Sequence, residues 1–256
     1  KEKDGRAFLA EGRMVVERAV AAGVVLESVL VVESKAQAVA ALVPDETVVL
    51  ACSKEVMATA AGFALHQGIV AVGRTPEPET LAAVVARGRA RGRPGTLLVG
   101  PEITNVDNLG LLVRVAAGLG VDGLLLGPRS ADPWYRRAVR TSMGTVFSLP
   151  VITSANLDTD LAWLAEEAKW DLVATVIDAD APSLSDFSRR DTQRTGTAVL
   201  LGSEGYGLDV GSVARCHRRV RIPMHHGVDS LNVAVAAGIV LYRVMEEVAG
   251  LGEGAE

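Results

Sequence analysis

Five short segments in the second half of the chain read as strands of the kind that are buried on both faces: "TLLVG" (96–100), "DGLLLG" (122–127), "DLVATVI" (171–177), "TAVLLG" (197–202) and "RRVRIP" (218–223). Strands without a polar face need helices above and below them, which is the arrangement of a parallel sheet. The first two are joined by a polar loop and the helical stretch "NLGLLVRVAAGLG", so strand, helix and strand form a βαβ unit. Within that helix Leu112, Val115, Ala116 and Leu119 fall at i, i+3, i+4 and i+7 and build a core stripe. Arg114 points elsewhere, with Gly110, Ala117 and Gly118 as its near neighbours, which leaves room for a ligand or a second chain. The segment from Leu231 onward is apolar on two faces: Leu231, Val235, Gly238, Tyr242 and Met245 on one, Val233, Ala237, Val240 and Val244 on the other. Such a helix needs cover on both sides, so a subunit partner is expected as well as the home sheet.

The first half follows a different rhythm. β-branched runs at 27–33, 46–51 and 68–73 alternate with helical segments at 13–22, 35–42 and 53–61, which predicts a small α/β layer domain. Pro76, Pro78 and Pro94 bracket an Ala/Arg-rich helical segment that reads as a border. The expected division is therefore a domain over 1–75, a linker over 76–95 and a second domain over 96–256.

With 256 residues and 49% hydrophobic content the chain can build substantial cores. Its longest uncharged apolar stretch, Leu231–Tyr242, is well short of the roughly 20 residues of a membrane span, and no charged-then-apolar signal opens the sequence. A cytoplasmic location with no membrane partner is expected. The first residue is Lys1 rather than Met, which predicts further residues upstream. Cys52 and Cys216 lack C-x-x-C spacing, so neither a disulfide framework nor a cysteine zinc site is indicated. A net charge of -5 disfavours a uniformly basic, nucleic-acid-coating surface. Arginines nevertheless cluster at 87–93, 136–140, 189–194 and 215–221, as basic patches or as solvated helix faces.

Ligands of open parallel sheets collect at the carboxyl ends of strands, and three polar loops stand there: "PEITNVDNLGLLVR", "GSEGYGLD" and "RIPMHHGVDSLN". Each has a plain structural alternative. The glycine-rich loop reads equally as an ordinary turn, being neither a G-x-G-x-x-G fingerprint nor a P-loop. Asn108 and Ser230 suit helix N-caps. His225 and His226 are adjacent, and no further His/Cys/Glu cluster completes a zinc set, so a surface-loop role without metal is expected.

In their order along the chain, "NVDNLGLLVRVAAGLGVDGLLL", "RTSMGTVFSLPV", "LLGSEGYGLD" and "IPMHHGVDSLNVAVAAGIVLY" resemble the successive motifs of the SpoU/TrmH family of RNA ribose 2'-O-methyltransferases, in the SPOUT class. "FLAEGRMVVERAV" and "HQGIVAVG" resemble the ribosomal-protein-like RNA-binding domain carried by many members. Ser203 stands where the family usually has Asn, and "TNVDN" replaces its more usual Asp-Pro approach. The resemblance implies a C-terminal parallel-sheet α/β domain tied in a deep trefoil knot, preceded by a small α/β RNA-binding domain. It implies S-adenosylmethionine as cofactor, held by backbone around Gly202, Ile222 and Leu231, with Thr175, Leu201 and Met224 lining the adenosine. It implies a homodimer through the C-terminal domain and a catalytic set of Arg114, Asn108, Glu204, Ser230 and Asn232. Arginine is a poor base, so Arg114 is expected to clamp a phosphate and orient the ribose, with Glu204 and Asn108 orienting it and Ser230 and Asn232 holding the loop. Ribosomal RNA is the expected substrate, with transfer RNA as an alternative. A non-catalytic RNA-binding or assembly protein and a nucleotide-dependent oxidoreductase are the remaining classes, the latter without its dinucleotide fingerprint.

Overall fold

The structure is a computed structural model that describes residues 7–61, 67–189, 193–203 and 205–249. In chain order its elements are β1 (Ala7–Glu11), α1 (Arg13–Ala21), β2 (Leu26–Val32), α2 (Ala36–Ala40), β3 (Val48–Cys52), α3 (Lys54–Ala61) and β4 (Ile69–Arg74). There follow α4 (Leu81–Ala90), β5 (Gly95–Gly100), α5 (Val106–Gly118), β6 (Gly123–Leu126), α6 (Arg136–Thr141), β7 (Val151–Thr153) and α7 (Leu157–Glu166). The last are β8 (Trp170–Thr175), β9 (Gly196–Leu200), α8 (Val210–Arg215), β10 (Arg218–Val220) and α9 (Val233–Ala249). The chain forms two compact units: one holds the chain up to Glu77 with Asp132–Ser148, the other Pro78–Ala131 and the chain from Leu149 on.

The first unit is built on a mixed sheet in the order β1-β4-β2-β3, in which β4 runs antiparallel to β1 and β2 while β3 lies parallel to β2. Phe8 on β1 sits opposite Gly73 on β4. A Cβ at Gly73 would come within 2.4 Å of the Phe8 ring, so glycine there is a packing requirement. The ring also meets Trp134 and Phe147, with centroids 5.6 and 5.1 Å away. Buried Glu11 is paired with Arg136 at 2.6 Å. These contacts explain why residues 132–148 belong to this unit although they lie in sequence between strands of the other.

The second unit carries a six-stranded sheet in the order β10-β8-β9-β5-β6-β7, parallel throughout. The expected strands over 96–100, 122–127, 171–177 and 197–202 appear as β5, β6, β8 and β9, and the one expected over 218–223 appears as β10, which is shorter and ends at Val220. Leu97, Val99, Leu125, Leu161, Leu164, Leu172 and Leu200 form a core around Trp170. Trp170 is fully buried because Gly95 and Gly196 leave it space; a Cβ at either would lie 2.4 Å from the indole.

Both expected borders differ from the observed ones. The stretch 76–95 is not a free linker: Thr80 caps α4 by accepting from Ala83 N–H, and Leu81, Val84 and Val85 enter the core of the second unit. Nor does 96–256 form one body, because its 132–148 segment is held by Phe8 and Glu11. Among the described residues no helix is long and apolar enough to cross a membrane.

Candidate active site at the strand ends and on helix α5

α5 begins at the carboxyl end of β5, and its N-cap is Asn105, whose side chain accepts from the N–H groups of Asp107 and Asn108. The capping alternative for Asn108 is thereby removed. Asn108 is half-buried in the first helical turn, and its Oδ1 accepts from Nδ2 of Asn232 at 2.9 Å. The Oδ1 of Asn232 in turn accepts from Ala234 N–H at 2.9 Å, which makes Asn232, not Ser230, the side-chain cap of α9. One amide thus finishes α9 and clasps it to the start of α5. Ser230 is an exposed residue of the loop before it.

α9 buries Val233, Ala237, Val240 and Val244 as the sequence predicts. Its other face remains open, with Leu231 36%, Val235 52% and Tyr242 62% exposed, joined by Ile239 at 40%. Leu111 on α5 is exposed to the same degree as Leu231. Arg114 follows on α5, exposed, and among the described residues its guanidinium has no hydrogen-bond or ion-pair partner. A Cβ at the neighbouring Gly118 would meet nothing within 4 Å, so the side of the helix beyond Arg114 is open.

Other arginines of the basic runs are engaged inside the fold. Arg87 pairs with Glu79, Arg91 and Arg93 with Asp122, Arg136 with Glu11, Arg215 with Asp158, Arg218 with Asp171 and Arg219 with Asp178. The clustering visible in the sequence therefore serves largely intramolecular pairing, whereas Arg114, outside every cluster, has no partner among the described residues.

The cofactor residues expected from the sequence come from neighbouring strand ends. Thr175, the last residue of β8, donates its hydroxyl to Leu200 C=O at 2.8 Å, tying β8 to β9 where both terminate. Leu201 is buried and donates its N–H to Val99 C=O. Ile222 and Met224, beyond β10, are half-buried, and Leu231 lies just before α9. Among the described residues the backbone groups of Gly202, Ile222, Met224 and Leu231 make no backbone hydrogen bond. Partly buried backbone donors and acceptors without partners beside Leu201, Ile222 and Met224 offer what an adenine needs, an apolar slot with a polar edge.

The glycine-rich loop turns back sharply. Ser203 and Gly207 exchange backbone hydrogen bonds of 3.0 and 3.2 Å. A Cβ at Gly202 would stand 2.6 Å from Gly207 backbone atoms, so this close return requires glycine. Glu204 lies outside the described residues. The loop ends at Asp209, which caps α8 through the N–H and hydroxyl of Ser212; these bonds hold its carboxyl below the usual range. The histidine loop turns at His226 and Gly227, both at positive φ, with His225 and His226 exposed. Among the described residues no group of three or more His, Cys, Asp or Glu could hold a metal ion.

Sequence reasoning passed over two features of this end of the sheet. Arg129, after β6, pairs with Glu102, after β5, at 2.6 Å, and the hydrogen bond from Arg129 holds the Glu102 carboxyl below its usual range. Tyr206 is 98% exposed. The signal for the second was a lone aromatic between two glycines.

Comparison with known proteins bears on this geometry. A family model described as the SpoU rRNA Methylase family matches residues 95–242, and one described as an MRM3-like substrate binding domain matches residues 2–71. An uncharacterized tRNA/rRNA methyltransferase of Mycobacterium tuberculosis is 40% identical over 191 residues, which are 74% of this chain and 63% of that relative. The chain thus matches less than two thirds of that relative's length. The 23S rRNA (guanosine-2'-O-)-methyltransferase RlmB of Coxiella burnetii is 33% identical over 184 residues, 71% of this chain and 70% of that one. The crystal structure of the SpoU methyltransferase AviRb of Streptomyces viridochromogenes in complex with AdoMet superposes with a TM-score of 0.79 at 25% identity, covering 97% of this chain and 93% of that one.

Proposed function

Because the chain belongs to the SpoU rRNA methylase family, we propose that it methylates a ribose 2'-hydroxyl of RNA, with S-adenosylmethionine as donor and ribosomal RNA as substrate. The observation that carries this reading is Arg114, an exposed guanidinium without a partner among the described residues, on the helix that the Asn108–Asn232 clasp ties to α9. The Coxiella relative is named for this reaction and RNA class, and the Streptomyces neighbour was solved in complex with this cofactor.

When bound, S-adenosylmethionine supplies a methyl group activated on a sulfonium. Leu201, Ile222 and Met224 would line the adenosine, while the open backbone of Gly202, Met224 and Leu231 would meet its polar edges. Thr175 supports the slot from beneath through its bond to Leu200 C=O. Arg114 orients the RNA by holding a phosphate, so that the reacting hydroxyl is fixed before it loses its proton; positioning of this kind supplies much of the rate of a two-reactant step. Asn108, Asn232 and Ser230 shape the approach, and Glu204 completes the set by resemblance.

The open face of α9 supports a homodimer. A second copy packed on Leu231, Val235, Ile239 and Tyr242 would bury those side chains and carry Arg114 toward the partner's strand ends. The strand order β10-β8-β9, in which the last strand returns to the far side of β8, is compatible with the family's C-terminal trefoil knot.

The test is incubation with methyl-labelled S-adenosylmethionine and unmodified transcripts of 23S ribosomal RNA and of transfer RNA, with sedimentation of the same protein. Label in the ribosomal transcript from a dimer is the expected result. Label confined to transfer RNA would overturn the choice of substrate, and binding of both RNAs with no transfer would overturn the reaction.

A further inference from the structure

We propose that Tyr206 is a stacking platform for an unpaired nucleobase of the RNA, beside the nucleotide that is methylated. The inference rests on the RNA methyltransferase reading and adds to it a residue that selects how the substrate lies.

Tyr206 is held on a short, well-anchored loop. Its near side is closed by the paired backbones of Ser203 and Gly207, reinforced by a 3.3 Å hydrogen bond from the Ser203 hydroxyl to Gly207 C=O. The return of Gly207 onto Gly202 fixes the turn to the end of β9. Its far side is closed by Asp209, which caps α8. A side chain 98% exposed on such a loop adds little to the fold by burial. What these bonds fix is the backbone that carries the ring, which lowers the entropy cost of ordering the loop on binding.

The surroundings favour a nucleobase over another protein. Contacts that anchor protein interfaces sit within broader apolar surfaces, whereas Tyr206 has Gly205 and Gly207 on either side, each with nothing within 4 Å of an added Cβ. Both faces of the ring are thus clear for a flat partner. Unpaired bases are read in RNA by stacking on aromatic side chains of this kind. The loop springs from Gly202, at the proposed cofactor slot, so a base stacked there lies close to the ribose that must meet the methyl group.

The test compares Tyr206→Phe, Tyr206→Trp, Tyr206→Leu and Tyr206→Ala in the full chain, with 23S ribosomal RNA transcript as probe. Binding, KM for RNA, affinity for S-adenosylmethionine and oligomeric state are measured for each. Loss of one base–aromatic stack is expected to weaken RNA binding about tenfold in the Leu and Ala variants. Phe and Trp should stay near the parent, with cofactor affinity and assembly unchanged in all four. Emission of the tryptophan introduced in Tyr206→Trp should be quenched on adding RNA. Leu binding RNA as well as Tyr, or a change of oligomeric state in Tyr206→Ala, would overturn the platform, the latter by assigning the ring to a protein contact. The two readings fail separately, because absence of methyl transfer by the parent overturns the reaction while the ratio of RNA affinities decides the role of Tyr206 with or without turnover.

Discussion

The two ends of the parallel sheet are built on opposite terms. At the amino ends of its strands, charge is paired within the fold: Asp171 on β8 holds Arg218 on β10, Asp122 holds Arg91, Arg93 and the N–H of Thr96, and buried Arg189 donates to Thr96 and to Gly95 C=O. At the carboxyl ends and on the helices that spring from them, Arg114 has no partner among the described residues, Tyr206 stands in solvent and the backbone near Gly202 and Met224 is open. Charged groups that serve the fold are paired within it, because an unpaired buried charge is costly. Groups left exposed and unpaired at the other end are those that a second molecule can use.

The contrast implies that changes at the closed end cost stability and changes at the open end cost activity. The largest effect is expected for Asp171→Ala, which removes the buried carboxylate that pairs with Arg218 and His217. Loss of one partner from a buried pair costs about 3–5 kcal/mol, to be read as a shift of the denaturation midpoint, while the folded fraction keeps its cofactor affinity. Arg114→Ala should do the reverse. Methyl transfer should fall by about 100- to 1,000-fold, as on removing one preorganised donor, with thermal stability within about 0.5 kcal/mol of the parent, as for an exposed site. A variant that unfolds, or one that keeps its turnover, breaks the contrast.

Asn232→Ala lies between these cases, because its amide both caps α9 and clasps Asn108. Loss of the cap alone costs about 1 kcal/mol, or about 2–4 °C of melting temperature in a chain of this size, and turnover should fall with it. The smallest effect is a pH dependence at the closed end. His217 accepts the N–H of Leu172 on Nδ1 at 2.9 Å, and burial, aided by Arg194 and Arg218 against Asp171, lowers its pKa from 6.5. The folded protein then holds fewer protons than the unfolded chain, so this contribution is complete above pH 6.5 and is lost as pH falls through the lowered value. Melting temperatures measured downward from pH 7 should show a decline that His217→Gln reduces.

Legibility in the sequence follows the range of the interactions. The strands β5, β6, β8 and β9 are legible because an apolar run bounded by turns carries its own signal, and the two faces of α9 follow from helical period alone. β1, β7, α6, α7 and α8 were not foreseen, several of them too short for periodicity to register. The place of residues 132–148 was hidden for a different reason. Phe8 and Trp134 meet across more than a hundred residues of sequence, and nothing local to either announces the other. The same holds for the arginines, whose clustering is plain but whose partners, such as Asp122 for Arg91 and Arg93, are fixed only by the fold. Asn108 and Asn232 were legible as site residues through family resemblance, yet the bond between them was not, and the capping role fell to Asn105 and Asn232 instead. Arg114 was legible from its small neighbours, and its lack of an acid partner among the described residues emerged only from the structure.

The central claim is transfer of a methyl group to a ribose oxygen of RNA. It is tested most directly by digesting the transcript labelled by the parent chain to nucleosides and locating the label. The expected result is a single 2'-O-methylated nucleoside, absent when Arg114→Ala replaces the parent. Label on a nucleobase, or ribose label that persists undiminished in Arg114→Ala, would contradict it.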